Sequence, residues 1–149
     1  MRAVVQRVSE ASVSVDGKVV GKIDKGLMVL VAVRSEDTEK DFDYIAKKIA
    51  GLRVFSDEAD KMNLSVKDIG GKLLIVPQFT LYGSVVKGMR PSFTASGSVE
   101  EAREKFVAFI KRLKQEEVPI ETGIFQADMK VALVNDGPVT LLLDSSKLF

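Results

Sequence analysis

Gln78, Phe79 and Thr80 stand together in the run Pro77-Gln78-Phe79-Thr80-Leu81-Tyr82, and Gly137 and Pro138 in the run Asn135-Asp136-Gly137-Pro138-Val139-Thr140. Each run closes a stretch that reads as a buried strand, and strand ends are where a scaffold offers backbone groups and short hydroxyls to a ligand. Thr80 supplies a hydroxyl, Gln78 an amide that donates and accepts, and the Gln78 and Phe79 backbone an N–H pair suited to a tetrahedral oxyanion. The chain has no His and no Cys. A histidine base, a thiolate nucleophile and a thiolate or imidazole metal site are thereby excluded. Hydroxyls, amides, carboxylates, cations, the backbone or the substrate itself must carry any reaction.

The elements that position these groups are read from periodicity. Val4, Gln6 and Val8 share one face of an opening strand; Val13 and Val15 lead into Asp16-Gly17, a two-residue hairpin signal, and Val19, Val20 and Ile23 follow. Leu27 to Val33 reads as a buried strand. From about Thr38 to Ala50, Phe42, Ile45, Ala46 and Ile49 repeat at helical spacing, with Asp37 or Thr38 as cap. Leu52 to Phe55 reads as a short strand, Asp57 to Met62 as a polar turn, Lys72 to Thr80 as a central strand, and Gly83 to Pro91 as a loop. Ser98-Val99-Glu100-Glu101 is a capping box opening a second helix with an apolar stripe at Ala102, Phe106, Phe109, Ile110 and Leu113. Val118 to Phe125, Lys130 to Val134 and Val139 to Leu143 finish the chain as strands, the last two separated by Asn135 to Pro138. The expected class is α+β: one domain over residues 1–149, a mostly antiparallel or mixed, barrel-like sheet with two main helices packed on it.

At 149 residues and 46% hydrophobic, the chain fits a single domain with a real core. The longest apolar run is Leu27 to Val33, far short of the roughly 20 residues a bilayer helix needs, so no membrane partner and a cytoplasmic location are expected. A net charge of +1 does not announce a nucleic-acid binder, so any contact with RNA must be local. Asp57, Glu58 and Asp60 lack the spacing and glycine of a calcium loop and read as a turn; no metal and no cofactor are expected.

Taken in order along the chain, several segments resemble the D-aminoacyl-tRNA deacylase family. They are Met1-Arg2-Ala3-Val4-Val5-Gln6-Arg7-Val8, Lys61-Met62-Asn63-Leu64-Ser65, Gln78-Phe79-Thr80-Leu81, Lys87-Gly88 with Arg90-Pro91-Ser92-Phe93, Glu121-Thr122-Gly123, Ala127-Asp128-Met129 and Asn135 to Thr140. The resemblance implies an enzyme that hydrolyses the ester joining a D-amino acid, or glycine, to the 3′ end of tRNA, and that works as a homodimer. It further implies that a cis Gly137-Pro138 dipeptide enters the partner's pocket and rejects L-amino acids sterically. Arg7 resembles the arginine that holds this loop through a backbone carbonyl, and Phe125 and Met129 match positions near the adenine pocket. One departure is Pro77, where the family usually has Ser; proline brings neither N–H nor hydroxyl.

Thr80 has three readings: a nucleophile, a group that orients an attacking water assisted by the ribose 2′-hydroxyl, or a residue that merely ends a strand. Lys87 and Arg90, in the loop after the first run, are candidate contacts for acceptor-stem phosphates, with a solvated loop as the alternative. Two other functions compete, a related editing module that removes an L-amino acid and a module that holds tRNA ends without hydrolysis.

Overall fold

The alternation that opens the chain becomes β1 (Arg2–Val15) in a computed structural model that describes residues 1–149. Asp16 and Gly17 both take positive φ, 50° and 77°, as a tight hairpin requires, and turn the chain into β2 (Lys18–Ile23). β3 (Gly26–Ala32) follows and pairs antiparallel with Arg2 to Val8 of β1. α1 (Glu39–Gly51) starts at Thr38, whose N–H donates to Asp41 Oδ2 at 2.8 Å, and buries Phe42, Ile45, Ala46 and Ile49 as the spacing requires. The predicted strand at Leu52 to Phe55 is shifted and short: β4 (Phe55–Ser56) pairs with β5 (Met62–Leu64). Between them the Asp57 carboxylate accepts from the Ala59 and Lys61 N–H groups, the polar turn expected there.

β6 (Lys72–Pro77) runs parallel to β3 and is flanked on its other side by the parallel β7 (Ile120–Thr122). α2 (Val99–Lys114) lies between them in sequence and is capped by Ser98, whose Oγ accepts from the Glu101 N–H at 3.3 Å. β8 (Lys130–Asp144) covers the edge of β1 opposite to β2 and β3, since Arg2 pairs with both Ala32 and Asp144, and Ala11 with both Ile23 and Leu133. The mixed sheet curls until its far edges nearly meet: a Cβ built on Gly21 of β2 would lie 2.9 Å from the Thr122 carbonyl oxygen of β7. Two cores result. Ala3, Val5, Leu27, Val29, Leu73 and Ile75 face α1 and α2, while Val8, Val13, Ile23, Met28, Leu74 and Val76 fill the inside of the curl. Burial on both faces explains the unbroken apolar runs of β3 and β6. No helix is long and apolar enough to cross a membrane.

Three further expectations need correcting. The central strand does not reach Thr80: it stops at Pro77, and Phe79–Tyr82 forms a 3₁₀ turn. Proline has no N–H to carry the ladder onward, and Gln78, at φ −144° and ψ 77°, redirects the chain. The strand predicted from Val118 to Phe125 is ordered as strand only over Ile120–Thr122. Asn135 to Pro138, finally, does not separate two strands. β8 is continuous, and the segment is accommodated as a bulge: Thr140 faces Gln6 while Asn135 faces Val8.

Candidate active site

Where β6 ends, a cavity of about 550 Å³ opens. Its floor is the end of β3 and β6 (Val31, Val76, Pro77), one wall is the first turn of α2 (Ser98, Val99, Ala102), and the other is the chain entering β8 (Phe125, Gln126, Met129). Three segments far apart in sequence therefore converge, and they do so because the parallel pairing of β3, β6 and β7 aligns the ends of these strands at one edge of the sheet. No charged side chain lines the cavity. Phe106 and Phe125 meet at 6.0 Å between ring centroids on its wall, and Gly123 leaves room for Met129, because a Cβ there would sit 2.7 Å from the Met129 sulfur.

The sequence-derived residues divide into three groups. Gln78, Phe79, Phe125 and Met129 line the cavity, with Pro77 beside them. Thr80 is one residue past the lining, exposed, and its Oγ1 accepts a hydrogen bond from Gln78 Nε2. That bond leaves the Thr80 hydroxyl proton free to donate elsewhere. Phe79 is 54% exposed, so it is not a core residue, and its ring stands edge-on to Phe93 at 5.3 Å.

The backbone pair expected at Gln78 and Phe79 is not available as such. The Gln78 N–H donates to the Val31 carbonyl at 2.7 Å, completing the β3–β6 ladder. The 3₁₀ turn compensates, because the N–H groups of its first residues, Phe79 and Thr80, precede any acceptor within it and point out of its N-terminal end. The donor pair is thus displaced by one residue along the chain. Its other end is firmly held: the Leu81 carbonyl accepts from Arg2 Nη1 at 3.1 Å, and Tyr82 is buried between the guanidinium groups of Arg2 and Arg34, 4.7 and 4.9 Å from its ring centroid. Burial, followed by the charge of Asp37, pushes the Tyr82 phenol well above its ordinary value, so it stays neutral.

The second group lies elsewhere. Gly137 and Pro138, joined by a cis peptide bond, are exposed on β8 and do not line the cavity of their own chain. Arg7, 13% exposed, reaches across from β1: its Nε donates to the Asp136 carbonyl at 2.9 Å and its Nη1 to the Val54 carbonyl at 2.6 Å. Gly137 has φ +133°, and a Cβ on it would approach Arg7 Nη2 to 2.8 Å, so both conformation and space call for glycine. Asn135 braces the bulge from the other side, accepting from the Val139 N–H at 3.0 Å and donating to Thr140 Oγ1 at 2.9 Å.

Lys87 and Arg90 form the third group. Their loop is drawn into a small hairpin by two hydrogen bonds between Ser84 and Ser92, at 2.8 and 2.9 Å, and both side chains are exposed outside the cavity. Phe93, Ser98 and Ala102 were not singled out as site residues by sequence reasoning. The capping box that ends at Glu101 locates the N-terminus of α2, but nothing local says that this end abuts Gln78.

Comparison with known proteins now bears on this geometry. The profile of the D-Tyr-tRNA(Tyr) deacylase family matches residues 4–144. A protein of Kosmotoga olearia named D-aminoacyl-tRNA deacylase is 59% identical over 149 residues, all of both chains, and one of the same name from Koribacter versatilis is 56% identical over the same span. A solved structure described as a c-Myc DNA unwinding element binding protein superposes with a TM-score of 0.90 at 41% identity, over 97% of this chain and 98% of that one.

Proposed function

The chain belongs to the D-Tyr-tRNA(Tyr) deacylase family, and from that membership we propose that it hydrolyses the ester of D-aminoacyl-tRNA and, by the same route, of glycyl-tRNA. The observation that carries the reading is the uncharged, aromatic-walled cavity ending at the free N–H groups of the Phe79–Tyr82 turn. The terminal adenosine enters the cavity, its base against Phe125 and Met129, where stacking on a ring contributes about 1–3 kcal/mol. The ester carbonyl then lies at the mouth, beside the Phe79 and Thr80 N–H groups, which receive the charge of the tetrahedral oxyanion.

Thr80 acts as an orienting group in this scheme. Activation as a nucleophile needs a base, the chain has no histidine, and the one partner of Thr80 Oγ1 is the Gln78 amide, which donates to it and takes no proton from it. A water assisted by the 2′-hydroxyl of the terminal ribose makes the attack. Pro77 contributes a wall rather than a hydrogen bond.

Stereoselectivity falls to Gly137 and Pro138 of a second copy. They do not line their own cavity, they project from an outer strand, and β8 carries exposed Val134, Leu141 and Leu142 with its far edge unpaired. In a homodimer that covers this face, the Gly137 carbonyl accepts from the substrate ammonium and the rigid dipeptide occupies the space of an L side chain. A D side chain points away and glycine passes. Arg7 holds the dipeptide's backbone for this role, and Lys87 and Arg90 serve the acceptor stem from their loop. The enzyme works in the cytoplasm, with no metal and no cofactor.

The test is the release of labelled amino acid from matched D-Tyr-tRNA, L-Tyr-tRNA and Gly-tRNA, with and without a chelator. Fast loss of the D and glycyl esters, an intact L ester and no chelator effect are expected. Equal loss of all three, or of none, sinks the reading.

A further inference from the structure

A cavity without charge is an odd receptor for the end of a polyanion. The base and ribose are accommodated by apolar walls, but the phosphodiester leading into the terminal nucleoside leaves the cavity at its rim and must be met there. Lys87 and Arg90 do not line this cavity. One cation is held against the wall itself. Arg103, on the second turn of α2, lays its guanidinium over the ring of Phe125 at 5.1 Å from the centroid, and its Nη2 donates to Gln126 Oε1 at 2.6 Å. Both Phe125 and Gln126 line the cavity.

Arg103 makes no ion pair, although Glu100 and Glu104 are its neighbours on the helix. A guanidinium offers five N–H donors in a fixed plane, and only one is engaged. The stacking on Phe125 and the bond to Gln126 orient that plane before any ligand arrives, which lowers the ordering cost of using it. The remaining donors lie beside the ring against which the base would stack.

We infer that Arg103 binds the phosphate on the 5′ side of the terminal adenosine, so that one side chain both backs the stacking ring and pairs with the first backbone charge outside the cavity. This rests on the reading of the cavity as a nucleoside site. Planar donors suit phosphate oxygens, and the class of ligand named is a 3′-terminal adenosine nucleotide carrying a 5′-phosphate.

The test compares adenosine 5′-monophosphate with adenosine by calorimetry on the wild-type protein, R103Q and R103K. The expected result is a preference for the monophosphate of about tenfold in the wild type, lost in R103Q, partly kept in R103K and weakening with salt. A preference absent from the wild type, or undiminished in R103Q, overturns the inference. So does an equal weakening of both ligands in R103Q, which is what a purely structural prop under Phe125 would give. In turnover, the ratio of kcat/KM for D-Tyr-tRNA to that for the D-tyrosyl ester of adenosine falls about tenfold in R103Q. If the wild-type protein cleaves neither ester, the functional reading fails, while the comparison of adenosine 5′-monophosphate with adenosine still decides the assignment of Arg103.

Discussion

The two regions that carry the candidate chemistry are built on opposite principles. The cavity at the end of β6 is concave, apolar and uncharged, assembled from segments spread between Val31 and Val131. The Gly137–Pro138 bulge on β8 is convex and exposed, and it is held by polar bonds from Arg7 and Asn135 within one strand pair. In the function proposed above the cavity receives the nucleoside, and discrimination between mirror images is assigned to the bulge. Because Gly137 and Pro138 do not line the cavity of their own chain, that proposal requires a second copy of the chain to bring the two regions together.

The sharpest way to break this division is at the turn. Phe79→Pro removes the N–H assigned to the oxyanion at the first position of a helical turn, a position that tolerates proline. Loss of one such donor corresponds to about 10²–10³ in kcat. Phe79→Ala keeps the N–H, and single-turnover rates for it should stay within about tenfold of wild type; a comparable collapse in both would assign the effect to the ring and not to the backbone.

Next in size is the bulge. Gly137→Ala places a Cβ against Arg7 at a φ that costs on the order of 1–3 kcal/mol, and the bulge must move. The ratio of D to L hydrolysis should fall about 10- to 100-fold, an effect of the size expected when a steric wall shifts. Co-purified mixtures of Phe79→Pro and Gly137→Ala copies sharpen the point. One cavity of the mixed dimer has an intact turn and faces an intact bulge, so D-selective turnover should reappear; failure to complement would place both functions in one chain.

A smaller effect is expected on the cavity wall, where Phe125→Ala should raise KM for D-aminoacyl-tRNA about tenfold, consistent with about 1–3 kcal/mol of stacking, with kcat little changed. Titration of KM against kcat checks it, and a change in kcat alone would remove Phe125 from the binding surface.

The smallest effect concerns the link between the regions. Asp144 at the end of β8 pairs with Arg2, the residue that also grips Leu81, and accepts from the Ser146 N–H. Burial alone would raise its carboxyl, but the Arg2 and Ser146 hydrogen bonds outweigh it and hold the group below the ordinary carboxylate range. The ionised form is therefore favoured by folding. The stability this confers is present above the unfolded value of about 4 and is lost as pH falls through the lowered native value. Melting temperatures measured from pH 6 to pH 2.5 should fall less steeply for Asp144→Asn than for wild type; parallel curves would mean that the pair contributes nothing.

Much of the scaffold was legible because its signals are local. Ser98 with Glu101, and Asp37 or Thr38, mark helix starts, the structure choosing Thr38; Asp16-Gly17 marks a hairpin, and the stripes of α1 and α2 follow from 3.6-residue periodicity. Asn135 to Pro138 misled for a reason of the same kind. Its residues have the chemistry of a turn, but β1 offers a partner long enough to pair on both sides of it, so the local preference became a bulge and not a break. The site was legible only in part. Gln78, Phe79, Phe125 and Met129 come together, but the committed Gln78 N–H, the wall supplied by Ala102 and the guanidinium of Arg103 depend on which strand ends lie side by side.

By itself the sequence determined which chemistry is absent, since a chain without His or Cys has neither an imidazole base nor a thiolate. It also determined where helices start, where the first hairpin turns, and which family the motifs resemble. Only the tertiary structure decided which backbone N–H groups remain unpaired, which residues share a cavity and which face away from it. The physical reason is that capping and periodicity are satisfied within a few residues, whereas the parallel pairing of β3, β6 and β7 joins segments whose contacts no local pattern encodes.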